Sequence, residues 1–219
     1  MSHRPFKDRL YPEFARVGSA LASEKRLELL DLLAQAPRHV EALASETEMS
    51  VANASQHLQV LRNARLVETE RDGTKVRYRL ATDDVLRLWL LLRSVAEQQF
   101  AAVDAITREY AVDGVDDPPS SRDAVEEGLA RGEVLVLDVR PPLEYAHGHL
   151  PGALSIPIDE LPLRLEELPR DRPIVAYCRG RYCLFADEAV ALLRRHGFAA
   201  TRLDGGWPEW QTEQRPVTS

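Results

Sequence analysis

Apolar positions fall at helical spacing through the first half of the chain and in short unbroken runs through the second. Leu10, Phe14, Val17 and Leu21, then Leu27, Leu30 and Leu33, lie three or four apart, which predicts one or two helices over 10–34. Pro37 interrupts the pattern, and 40–47 predicts a short helix with Leu43 and Ala44 on one side. After a turn at Glu48 and Met49, Ser50 is a good N-cap for a helix to about residue 64, with Val51, Leu58 and Leu61 as its buried stripe. Two alternating runs, 66–71 and 74–80, flank Asp72-Gly73 and predict a β-hairpin. From Asp83 to Tyr110 the spacing predicts one long helix. It is apolar almost all round at Leu86, Leu88, Trp89, Leu90, Leu91, Leu92 and Val95, then narrows to Phe100, Val103 and Ile106. Such a helix needs a second surface over it. The first reading is self-association through this helix and the one carrying Leu10 to Leu21; the second is packing within the chain.

Residues 113–120 are acidic and proline-bearing and read as a linker. Beyond it strands and helices alternate. A helix over 121–131 capped by Ser121 is followed by a buried strand over 134–139, a loop over 140–152 and a strand over 153–156. A helix over 157–168, a strand over 174–177, a helix over 186–196 and a last strand over 201–203 complete the series. Alternation of this kind predicts a doubly wound α/β domain with its site at the carboxyl ends of the strands.

Length agrees with two units, since 219 residues exceed the roughly 100–150 of one common domain. The boundaries read as 1–112, a linker over 113–120 and a second domain over 121–219. No run approaches the ~18 apolar residues of a membrane span, and the start of the chain lacks the apolar core of a signal peptide, so the expectation is a cytoplasmic protein with no membrane partner. The net charge of −7 argues against a surface wholly given to nucleic acid but leaves room for a local basic patch.

A short helix, a turn and a second helix form the outline of a DNA-reading motif. Ser50, Asn53, Ser55, Gln56, His57, Gln59 and Arg62 offer hydroxyl, amide and cationic groups of the kinds that bond base edges and phosphates. The hairpin that follows alternates Val76, Tyr78 and Leu80 with Lys75, Arg77 and Arg79, so its second strand carries a basic face, as a wing does. Both cysteines lie in Cys178-Arg179-Gly180-Arg181-Tyr182-Cys183, between a strand end and a helix start. Backbone N–H groups, the helix dipole and the two arginines favour an anion there, so Cys178 is expected to ionise below the ~8.5 of a free thiol and to act as a nucleophile. Cys183 reads either as a second reactive thiol or as a small residue packed into the next helix.

Residues 50–67, with Ser55, His57, Leu58 and Leu61, make the stretch from about 10 to 110 resemble the ArsR-type winged-helix repressors. Arg65 stands where that family often has glycine, and the places where metal-sensing members carry ligands offer none, so no metal and no cofactor are expected. The second half resembles a single rhodanese domain. The likeness rests on 137–140 with Glu144 and 148–153, on the cysteine loop, and on 203–210. That resemblance implies a persulfide on Cys178 held by loop N–H groups, in a loop of the six-residue length associated with sulfur transfer. Asp138 and Arg140 would brace the loop or meet the sulfur donor. Cys183 stands where active sulfurtransferases carry a cationic or hydroxyl group.

The combined expectation is a homodimeric repressor bound to double-stranded operator DNA. A small sulfur donor or oxidant acting on Cys178 would change its affinity. The alternative is a sulfurtransferase moving sulfane sulfur through a Cys178 persulfide.

Overall fold

The computed structural model describes residues 3–73 and 75–218. Thr74, read from sequence as part of the wing, lies outside the described residues, as do Met1, Ser2 and Ser219. The chain divides into two compact units, Met1–Leu91 and Leu92–Ser219.

In the first unit the helical pattern of 10–34 resolves into two helices, α1 (Arg4–Leu21) and α2 (Glu24–Leu33), parted at Ala22 and Ser23. Pro37 is followed not directly by a helix but by the two-residue strand β1 (Arg38–His39), too short and polar for its alternation to register in the sequence. Then come α3 (Val40–Glu46) and α4 (Val51–Asn63), with Ser50 accepting a bond from the Asn53 N–H as the expected cap. The buried stripe of α4 is Ala54, Leu58 and Leu61. Val51, assigned to that stripe from sequence, is 46% exposed, because as the first helical residue it precedes the turn that faces the core.

Strands β2 (Val67–Asp72) and β3 (Lys75–Leu80) form the hairpin, and β1 adds to its far side in the antiparallel order β1-β3-β2. Asp72 pairs with Lys75, so Asp72 is the end of the strand rather than part of the turn, and Gly73 takes the positive φ of 61°. Leu29, Leu30 and Leu33 of α2, Leu43 of α3, Leu58 and Leu61 of α4, and Leu66 and Val67 build one core.

Helix α5 (Asp83–Gln99) starts in the first unit, where Val85 and Leu86 are buried and the Trp89 indole donates to Asp31 at 3.0 Å. It ends in the second. The single long helix expected over 83–110 breaks at Phe100, whose extended backbone (φ −120°, ψ 102°) separates α5 from α6 (Ala101–Glu109). Periodicity survives such a break because the apolar spacing resumes in the next turn.

The rest of the second unit contains α7 (Arg122–Arg131), β4 (Leu135–Asp138), α8 (Pro142–His147), β5 (Leu154–Ser155), β6 (Ile174–Tyr177), α9 (Phe185–Arg195), β7 (Ala200–Arg202) and α10 (Trp207–Thr212). The four strands are parallel in the order β5-β4-β6-β7. Side-chain alternation sends Leu137 and Ala176 into one core with Ala189, Val190 and Leu193 of α9. Val136, Val175 and Tyr177 go into a second core on the other face with Val125 of α7 and Trp207 and Trp210 of α10. Helices on both faces make the sheet doubly wound, as expected. The helix expected over 157–168 is instead two single 3-10 turns, Leu161–Leu163 and Leu165–Glu167, because Pro162 removes a backbone donor in the middle of the stretch. α8, inside what reads as a loop, opens on two prolines that set its first turn. Among the described residues no helix is long and apolar enough to cross a membrane.

Candidate functional site

The cysteine loop leaves the carboxyl end of β6 and runs to the start of α9. Its shape is set by main-chain contacts. Gly180 has φ 140°, and Gly206 lies against it so closely that a Cβ there would fall 2.5 Å from the Cys178 carbonyl oxygen and 2.6 Å from Gly180 Cα. The Trp207 N–H donates to the Cys178 carbonyl at 3.2 Å, and the Cys183 N–H donates to that of Gly180 at 3.1 Å. Glu209 accepts from the Gly206 N–H at 2.9 Å and from Arg93 at 3.0 Å.

The two sulfurs share this loop. Main-chain N–H groups of Gly180 and Ala186 bond the Cys178 sulfur, and those of Arg179 and Phe185 bond the Cys183 sulfur. The donors at the start of α9 are therefore in place, but the expected low-pKa Cys178 is not. Cys178 is 1% exposed, and burial pushes its thiol well above the ordinary range, outweighing the N–H groups. Cys183 moves the other way. The Cys178 thiol donates to it, the two N–H groups and Arg179 add to that, and its pKa falls below the usual thiol value. The two thiols are thus shifted in opposite directions, Cys178 up and Cys183 down.

The flanking groups divide between bracing and exposure. Arg179 donates to the fully buried Glu144 at 2.8 Å, so its cation is committed beside α8 rather than to an incoming anion. Arg181 faces solvent, with Glu97 3.7 Å away. Tyr182 stacks under Arg93 (5.3 Å) and bonds Glu97; burial and that carboxylate push its pKa up to about 12, so it stays a donor. Asp138 and Arg140 are both fully buried. Arg140 binds both Asp138 oxygens, at 2.6 Å through Nη2, and donates to the Gly148 carbonyl at 2.8 Å, while the Tyr177 hydroxyl donates to Asp138. Of the two roles expected for this pair, the geometry is that of a brace beneath the loop, since neither side chain reaches solvent where a donor would arrive.

Sequence reading missed Arg93 and Glu97, which are spaced for one face of α5 but carry no motif. It also left Gly206 and Glu209 without a task, although both lie in the 203–210 stretch singled out above.

In the first unit, Ser50, Asn53, Gln56, Gln59 and Arg62 are exposed along α4, and Ser55 and His57 are half-buried. Gln59 donates to Asn63 at 2.7 Å. The wing is less basic than β3 alone suggests. Register places Glu68 opposite Arg79, Glu70 opposite Arg77 and Asp72 opposite Lys75. Arg79 meets Glu68 at 2.6 Å, and Arg77 meets Glu70 at 3.1 Å and Asp72 at 3.6 Å. His39 of β1 also bonds Asp72 at 3.1 Å. Among the described residues no three His, Cys, Asp or Glu side chains cluster as metal ligands would.

Residues 23–69 match the bacterial regulatory protein, arsR family, and residues 121–213 match the rhodanese-like domain. Over 216 residues the chain is 48% identical to the HTH-type transcriptional regulator Rv0324 of Mycobacterium tuberculosis, covering 96% of this chain and 92% of that one. A sulfurtransferase of Allochromatium vinosum is 35% identical over 88 residues, 40% of this chain and 80% of its own. Among solved structures, the homodimeric winged helix-turn-helix DNA-binding domain of a Mycobacterium bovis protein is 46% identical, covering 47% of this chain and 93% of that one with a TM-score of 0.43. The chain belongs to the ArsR-type transcriptional regulators that carry a C-terminal rhodanese domain.

Proposed function

We propose that this regulator is a homodimeric repressor whose grip on operator DNA is set by the sulfur or redox state of the Cys178 loop. The observation that carries this reading is the thiol pair itself. Two cysteines share one loop and shift each other's ionisation, and the winged unit has no cysteine of its own with which to sense such a signal. Arg179, held by Glu144, and Arg140, buried with Asp138, leave Arg181 as the loop's exposed cation. That favours single modification over rapid turnover of an anionic donor. On the DNA side, exposed Asn53, Gln56 and Arg62 supply base-edge and phosphate partners, Lys75 is exposed, and Arg77 and Arg79 sit in half-exposed cross-strand ion pairs weak enough for a phosphate to compete. Phe6, Tyr11 and Phe14 of α1, and Leu91, Val95 and Ile106 further on, are left exposed and supply apolar surface for a twofold partner.

The test is DNA affinity measured with reduced and polysulfide-treated protein. A coupling of about 1–3 kcal/mol would appear as a roughly 5- to 150-fold change that Cys178→Ser abolishes. Equal affinities in both states, unchanged by Cys178→Ser, overturn the reading. Thiocyanate formation from thiosulfate and cyanide at rates far above a Cys178→Ser control would favour the sulfurtransferase alternative.

A further inference from the structure

We propose that Cys183, and not Cys178, is the sulfur that first meets the incoming reagent, and that Cys178 acts second by closing a bond to it. This deepens the reading of the loop as a sulfur-responsive site and rests on that reading. The geometry separates the two thiols. Cys178 is 1% exposed and belongs to the apolar core under α9, together with Ala186 and Ala189. Cys183 packs against the edge of the same core but is only partly buried, and it follows directly on the exposed Arg181 and Tyr182. A reagent arriving from solvent passes Arg181, whose cation suits an anionic sulfur species, and reaches Cys183 before Cys178.

The ionisation order agrees with this path. The thiolate is the nucleophile in sulfur exchange, and of the two thiols it is Cys183 whose pKa is lowered, by the Cys178 thiol and by the N–H groups of Arg179 and Phe185. Cys178 keeps its proton and has the Cys183 carbonyl oxygen 3.1 Å from its sulfur.

With an organic persulfide as donor, the Cys183 thiolate attacks the outer sulfur. The donor's S–S bond breaks, its thiolate leaves, and the hydrogen stays on the sulfur now carried by Cys183. Cys178 then attacks the Cys183 sulfur atom itself. The S–S bond to the transferred sulfur breaks, hydrogen sulfide departs with the proton given up by Cys178, and a disulfide joins the two residues. The donor persulfide is the oxidant, and both cysteines are oxidised together.

The sequence itself helps the experiment, because Arg179 and Arg181 lie between the cysteines and trypsin separates them into different peptides. Reduced full-length protein treated with less than one equivalent of iodoacetamide should carry the label on Cys183 in at least about tenfold excess over Cys178. With cysteine persulfide as the probe, Cys178→Ser should stop at one added sulfur on Cys183 and release no hydrogen sulfide. Wild type should go on to lose two hydrogens and release one equivalent of sulfide. Cys183→Ser should react at least about tenfold more slowly than wild type. Preferential labelling of Cys178 in the wild-type protein overturns the order, and that measurement needs no variant to fold. So does a Cys183→Ser variant, with an unchanged circular dichroism spectrum, that takes up sulfur at the wild-type rate. None of these readouts involves DNA, so a failure here is separable from a failure of the operator response.

Discussion

Arginine and carboxylate meet in two settings in this chain. On the wing, Arg77 and Arg79 lie across from Glu70 and Glu68 with about two-fifths of each arginine side chain exposed, against 37% of Glu70 and 51% of Glu68. Beneath the cysteine loop, Arg140 and Asp138 pair with no exposure at all. Water screens the first kind of pair and makes it replaceable, so another anion can take the place of a glutamate. The second kind cannot be exchanged, because either ion left alone in the interior would be stranded without solvent. The same two chemical groups therefore give an exchangeable surface in one unit and a fixed support in the other.

The sharpest way to break this comparison is Arg140→Ala. It leaves Asp138 buried with only Tyr177 and the Arg140 N–H for partners and should destabilise the second unit by about 3–5 kcal/mol, read as a lowered thermal midpoint. A surface-sized effect would show that the interior there is wet. Gly206→Ala should cost about 1–3 kcal/mol, because its Cβ has no room against Gly180 and Cys178, and it should erase the difference in alkylation rate between the two cysteines. The thiol pair gives a pH test. Because the folded-state pKa of Cys183 is lowered, its alkylation rate should rise with a midpoint below the free-thiol ~8.5, and Cys178→Ala, which removes the donating thiol, should move that midpoint upward. Arg65 occupies the left-handed region at φ 58°, so Arg65→Gly should stabilise the winged unit by about 1 kcal/mol in chemical denaturation. Smallest of all, Arg77→Ala should change folding stability by under about 1 kcal/mol while making DNA affinity less sensitive to salt.

Much of the architecture was legible because it rests on period and punctuation. The Ser50 cap and the strand over 174–177 followed from local rules, while Arg65, whose φ is 58°, was marked only by standing where the resembling family often has glycine. What escaped depended on partners distant in sequence. The acids of β2 neutralise a strand that looked basic by itself, and only the hairpin register shows which acid faces which arginine. Cys178 lies amid the donors that its position promised, yet the core packed around it reverses the expected shift, since burial depends on the whole domain rather than on the six residues of the loop. Arg93 and Glu97 gave no signal because their role comes from where α5 passes the loop.

The seam between Gly180 and Gly206 has a consequence for how such proteins diversify. Since the seam itself is a contact of peptide atoms, side chains at 181–183 can be exchanged without disturbing it. A change in the chemistry of the loop then needs only a few substitutions on a frame that stays put, which leaves the sequence of the winged half untouched.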